Sequence, residues 1–399
     1  MTTTGRLFTT NARLSRVATT TTTPREIIID ESGDLIIRVY KKSSAFDPKF
    51  QSSIDSSKTI DGEILAIIKV TKKTLVDKSV YFAAMLAGGF GEAKQDTIDL
   101  EDEQLWFRHF HDSFNEASYK VLIPTIWGAL KIAQFYNFKT EDLEDWFGKW
   151  LKDNGGDKLE KFTIEELQTL LYPCQEFDNP HGFAHATRRL VYETEGHIKE
   201  LFPKGFSKWS GKHLHLHPRI ITSINAARGS LKTKIHQGIY SRRFFSSSCS
   251  CKMEGYFQYG LALDKTGVWP LEEVMHGRDA FSLQQILQGL GRFGYKAPNE
   301  TCNLCSQDFA TTVVGPTVDR VQRNFEGLCL DCIDKGEKRD WDFEYRYHQA
   351  RRVWDMAEAG CRFEHSEPTW YFSWMARKQA ADFFERERDA RKRKASEMD

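Results

Sequence analysis

The sequence predicts an α+β chain, with strands first, helices after, and a cysteine-rich segment towards the end. Three observations carry this. Apolar, β-branched runs stand at 33–40 (GDLIIRVY) and 63–70 (EILAIIKV), apolar residues recur at helical spacing from residue 72 onwards, and seven of the eight cysteines lie beyond residue 248. Strands and helices segregated along a chain pack as α+β rather than as alternating βα units.

A chain of 399 residues exceeds one ordinary core of about 100–200 residues, so two or three units are expected. The 56 basic and 56 acidic side chains cancel, which leaves no global field to draw the chain to nucleic acid or a lipid surface. Apolar runs stay well short of the roughly 18 residues of a membrane helix, and the start lacks the apolar stretch of a secretory signal. The expectation is a soluble protein of nucleus or cytoplasm with no membrane partner. Residues 1–24 carry Arg6, Arg13 and Arg16, many threonines and no acid. They read as a disordered tail, with a mitochondrial transit peptide as the alternative. In a reducing compartment cysteines serve as metal ligands or core residues rather than disulfides.

Between the first two strands, the Ser-rich segment 43–58 reads as a long loop. Leu75, Phe82, Met85 and Leu86 set a helix over 72–87 that Gly88-Gly89 ends, and DTIDL (96–100) is a short strand. Residues 103–152 are helical in three segments, broken at Pro124 and between Asn137 and Thr140. Beyond them, KFTIEELQTLLYPC, FAHATRRLVYETEGHIKELF and IITSINAARGSLKTKIHQGIY are amphipathic, with Cys174 placed among core residues. His213, His215 and His217 alternate. With no acid or thiol beside them they read as a loop rather than a metal site.

The words GDLIIRV, then VTKKTLVDKSVYFAAMLAGGFGEA (70–93), TIDL and ALKIAQFYNFKTEDLEDWFGKWL (129–151) resemble the BTB/POZ domain in its divergent fungal form. Val70, Lys72, Leu75, Ser79, Tyr81, Phe82, Met85 and Leu86 fall on the family pattern; Thr71 stands where the family has histidine, and 43–58 is an insertion. The resemblance implies a BTB/POZ fold over 25–152, a small mixed sheet flanked by helices, followed by a helical extension over 153–243. It implies an adaptor for protein partners, possible homo-oligomerisation and no catalysis. It also implies one site: cullin-binding adaptors of the family carry a hydrophobic-x-Glu triad after this helix, and the matching residues are Phe90, Gly91 and Glu92. The alternatives are that Phe90 merely closes the core, and that the chain is a nuclear chromatin- or transcription-associated scaffold.

A cysteine-rich module is expected over 244–366. Cys302-x-x-Cys305 and Cys329-x-x-Cys332 have the spacing at which a turn aims two sulfurs at one ion, and two such pairs complete a tetrahedron. A redox pair needs a single C-x-x-C opening a helix in a βαβ unit, which neither offers. A structural zinc on Cys302, Cys305, Cys329 and Cys332 is therefore expected. Cys249, Cys251, Cys361 and His365 form a second Cys₃His set, the last two spaced for one helical face; spacing leaves open whether the pairs exchange between sites. Trp269-Pro270 and the flanking words again resemble fungal BTB proteins. Between Cys302 and Cys332 only Arg320 and Arg323 oppose Asp308, Asp319, Glu326 and Asp331, so a nucleic-acid partner is not expected.

Two motifs are decoys. GLGRFG (289–294) follows a helical run instead of a strand, and HGFAH (181–185) lacks the glutamate of a zinc protease. No P-loop or G-x-S-x-G occurs. Residues 367–394 read as a final helix whose RDARKRK end is either a solvated face or a nuclear-localisation patch.

Overall fold

The computed structural model describes residues 24–41, 64–102, 121–206, 214–240, 248–276, 280–299, 301–334 and 361–374. The expected tail, the 43–58 loop, His213 and the basic end 388–394 lie outside them. Contacts divide the chain into two compact units, Met1–Asp77 with Phe82–Arg108, and Lys78–Tyr81 with His109–Asp399. The division falls inside the 25–152 segment.

The first unit is a four-stranded mixed sheet of order β1-β3-β2-β4, from β1 (Arg25–Ile28), β2 (Leu35–Lys41), β3 (Ile64–Val70) and β4 (Thr97–Asp102). β2 runs antiparallel to β3 and parallel to β4, and β1 runs parallel to β3. Side chains alternate between faces along a strand, so Leu35, Ile37, Val39, Ala66, Ile68, Val70, Ile98 and Leu100 share one buried face. On the other face Arg38 forks onto Asp99 of β4, at 2.6 and 3.0 Å. Thr71 donates its hydroxyl to Asp30. β1 was not expected: four residues are too few to show a period, and only the distant β3 gives them a partner.

The expected helix over 72–87 is two, α1 (Lys72–Lys78) and α2 (Val80–Ala87). Ser79 interrupts them. It is buried, donates its hydroxyl to Tyr136 O at 2.5 Å and forms a bridge with Phe138.

In the second unit α3 (Ile123–Phe135) begins at the expected break, with Pro124 in its first turn, where proline is preset for the helix. After Asn137, in the left-handed region at φ 50, α4 (Glu144–Gly155), α5 (Ile164–Glu176) and α6 (Pro180–Glu193) follow. Thr163 and Glu166 cap α5 reciprocally, and the Asn179 side chain accepts from Gly182 N to cap α6. α6 stops at Glu193, so the second half of its amphipathic run is not helical. α7 (Pro218–Ile239) begins where His217 Nδ1 accepts from Arg219 N. His215 faces Glu200 at 3.3 Å, while Leu214 and Leu216 go into the core.

α8 (Lys252–Asp264), α9 (Leu271–His276), α10 (Leu283–Leu290), α11 (Gly315–Gln322), α12 (Leu330–Asp334) and α13 (Glu367–Trp374) complete the helices described. A π-type turn, Ala310–Val314, leads into α11. The decoy GLGRFG is the end of α10 and the turn after it. The core gathers Trp127, Phe147, Trp150, Tyr172, Phe177, Phe183 and Phe325. The buried indoles of Trp127 and Trp150 donate to carbonyls, Thr169 O and Val121 O, at 2.8 and 2.9 Å. Cys174 is fully buried here, and burial pushes its thiol pKa up. No helix among the described residues is long and apolar enough to cross a membrane.

Candidate metal centres

The first centre is built where α8 begins. Cys251 occupies its N-cap and Cys249 lies just before it. Opposite, Cys302-x-x-Cys305 forms a tight turn in which the N–H groups of Cys305 and Ser306 both donate to Cys302 O at 3.0 Å. Two contacts frame Cys305. The Tyr295 hydroxyl donates to Cys305 O at 2.8 Å, and Gly255, one turn into α8, leaves Cys305 room: a Cβ there would stand 3.3 Å from Cys305 Cβ and 3.4 Å from its sulfur. The Cys249 and Cys305 sulfurs are 3.5 Å apart.

The second centre is deeper. Cys329 and Cys332 straddle the start of α12 and are both fully buried. Cys332 Sγ lies 3.5 Å from Cys361 Sγ and 3.5 Å from His365 Nε2. The other ring nitrogen of His365, Nδ1, lies 3.5 Å from Ser366 O, an orientation that turns Nε2 towards the sulfurs. The segment 361–366 is not helical, contrary to the expected i, i+4 pair on one face. Its backbone groups bind side chains instead: Arg362 N donates to Asp331 at 2.7 Å and Ser366 N to Glu326 at 2.5 Å. The Arg362 guanidinium also bridges Asp331 and Asp178.

All eight expected ligands thus belong to centres, but in exchanged pairs. Cys249, Cys251, Cys302 and Cys305 form one cluster and Cys329, Cys332, Cys361 and His365 the other, the four ligand atoms of each within 4.8 Å of one another. The expected joining of Cys302 and Cys305 with Cys329 and Cys332 is corrected. The physical reason is the helical stretch 310–322 between them, which at about 1.5 Å per residue carries the chain on the order of 20 Å away.

None of the eight cysteines is in a disulfide. Four ligands at about 2.3 Å from one ion stand roughly 3.8 Å apart in a tetrahedron, a spacing that fits these clusters and is far from the roughly 2.05 Å of a disulfide. Either cluster can hold a metal ion. Within each, one thiol is set towards the thiolate. The Cys305 N–H, then the Cys251 and Cys249 thiols, bring Cys302 down to about 6, whereas burial pushes Cys305 up. The Cys332 thiol, with help from His365, brings Cys329 down to about 4 against the effect of burial. Burial works against the charged form of His365, but the Cys329 thiolate outweighs it and raises the imidazole pKa.

Spacing gave no sign of Gly255, Tyr295, Asp331 or Arg362, because each acts through a contact made only in the fold. Neither the histidines of HGFAH nor the expected protein-binding pair is among the ligands of either cluster. His181 and His185 pack edge-on against Phe363. Phe90 is 62% exposed, and Glu92 is exposed on the 3₁₀ turn Gly91–Lys94 that follows it. Comparison of the chain with protein-family models, with curated proteins and with solved structures returns no significant match.

Proposed function

We propose that the chain is a protein-interaction adaptor of the BTB type whose C-terminal half is held together by two structural zinc ions. The observation that carries the adaptor reading is the exposure of Phe90 beside Glu92. A core-closing phenylalanine would be buried; at 62% exposure this ring instead offers an aromatic anchor, with a carboxylate next to it to fix register by hydrogen bonding. Support for the BTB assignment is the small mixed sheet with α1 and α2 between β3 and β4, in the order the family words occupy.

The zinc reading rests on the donors. Cys₄ and Cys₃His sets without a carboxylate suit zinc, and four protein ligands leave no position open for water or substrate. Such an ion contributes folding energy, not chemistry, and no catalytic step belongs to this reading. The partner class favoured is a cullin, which would make the chain a recruiting subunit of a ubiquitin ligase acting in nucleus or cytoplasm.

The test is affinity capture with the full-length chain. Wild type should co-purify a cullin, and joint replacement of Phe90 and Glu92 by alanine should abolish capture while zinc content and melting temperature stay unchanged. Failure of wild type, where an established adaptor succeeds, would sink the ligase reading and favour the chromatin-scaffold alternative.

A further inference from the structure

α8 is committed on one side only. Gly255, Tyr259, Ala262 and Leu263 are buried, and they face the first metal centre and the core. Met253, Phe257 and Leu261 lie on the other side, 74%, 59% and 37% exposed. Spaced by four residues, they form one apolar stripe about 80° wide across the helix. Beside it lies Gly260, where a Cβ would meet no atom of the described residues within 4 Å. Glycine inside a helix is unfavourable relative to alanine. The fit against Cys305 offsets this at Gly255; nothing in the described chain does so at Gly260.

We propose that this face of α8 is a homodimer interface, filled by α8 of a second copy running antiparallel. The stripe is complementary to its own reversal. With the two-fold axis near Gln258 and Tyr259, Phe257 of each copy falls opposite Gly260 of the other, an aromatic ring over a gap with no side chain. Glu254, in the first turn, and Lys265, at the C-cap, lie within about 20° of one another on the same flank of the stripe. Both are exposed. In this antiparallel register Lys265 of one copy lies two residues, about 3 Å along the axis, from the position opposite Glu254 of the other, within reach of its carboxylate, twice. A parallel register would set Glu254 against Glu254 and Phe257 against Phe257. Two-fold contacts of this kind close on themselves. One helix pair is at the small end of stable interfaces, so the dimer is weak and depends on concentration. It neither uses Phe90 and Glu92 nor requires the adaptor reading.

Sedimentation velocity on the zinc-loaded full-length chain, from low to high micromolar concentration, tests this. Wild type should pass from monomer to dimer, and Phe257→Glu should stay monomeric with unchanged zinc content. Glu254→Lys and Lys265→Glu should each weaken the dimer roughly tenfold, since two rim pairs are lost at once. Combined in one chain they should restore it, because the pairs re-form with signs reversed. A wild type monomeric throughout, a dimer indifferent to Phe257→Glu, or a double variant no better than the singles would each overturn the proposal. So would a monomer that Phe257→Glu merely destabilises, which would mean that the chain's own segments cover this face.

Discussion

If each cluster holds one metal ion, as proposed, serine in place of a single ligand should remove it, and pairs of such changes report which ligands share a centre. With the geometry found, Cys305→Ser and Cys329→Ser strike different centres, so each alone should leave about one ion per chain and the two together none. Were Cys302, Cys305, Cys329 and Cys332 one site, the double variant would keep an ion; atomic absorption on purified chains decides between the two. The eight ligands were legible because metal chemistry imposes short spacings. Their pairing was not, because the run ATTVVGPTV at 310–318, β-branched and broken by Gly-Pro, hides the helical stretch that parts Cys305 from Cys329. A second residue-scale consequence concerns Gly327, at φ +116, where a Cβ would stand 2.0 Å from Ala184 O. Gly327→Ala combines left-handed strain with a backbone clash, so thermal unfolding should show a loss of about 2 kcal/mol or more. A variant that melts like wild type would mean that the loop does not approach α6 this closely.

The segment 326–329 shows how an irregular strand of chain can be buried between elements. It is neither helix nor sheet, so its N–H groups need other acceptors. Side-chain hydroxyls supply them: Thr369 accepts from Glu326 N, Thr187 from Leu328 N and Ser373 from Cys329 N, each at 2.8 Å. Thr187 donates onward to Phe183 O and Ser373 to Thr369 O, at 2.8 and 3.0 Å, so α6 and α13 grip the knuckle of the second centre from two sides. Thr187→Val keeps the shape and deletes the acceptor, leaving a buried N–H unsatisfied. Chemical denaturation should show a loss of about 1–3 kcal/mol, and a chelator should strip the second centre faster. If Thr187→Val were neutral, water must replace the hydroxyl. Cations do similar work elsewhere: buried Arg228 of α7 donates to Glu195 O and Gly196 O just past the end of α6, and Lys232 to Met275 O in the last turn of α9. A positive charge suits these carbonyl-rich helix ends. Helix existence was readable from apolar period, as in KFTIEELQTLLYPC, which holds α5. Hydroxyl and cation partners were not, since they lie as far as 141 positions apart in sequence.

At the scale of the molecule, strands before helices was legible as a composition change; which face of the sheet is buried was not, since Ile36, Leu65 and Ile67 make β2 and β3 apolar on the other side as well. Nor was the place where one unit ends. The words that carry the family resemblance extend to Leu151, yet the aromatic residues of α3 and α4 are completed from beyond residue 152. Trp127 lies 5.0 Å from Tyr172 and donates to Thr169 O, Phe147 lies 4.7 Å from Phe177, and Trp150 lies 5.8 Å from Phe162. Periodicity marks which face of a helix is apolar but carries no address for the element that covers it. A fragment of residues 25–152 tests the consequence. Each large side chain left in water forfeits about 1.5–3 kcal/mol, so three together remove a sum comparable with much of a domain's net stability of roughly 5–15 kcal/mol. The fragment should therefore bind a hydrophobic dye and unfold without a cooperative transition, while the zinc-loaded full-length chain does neither. A sharp single transition with well-dispersed amide resonances would show instead that α3 and α4 find enough cover within 25–152, and would place the end of the first folding unit after α4, where the family resemblance puts it.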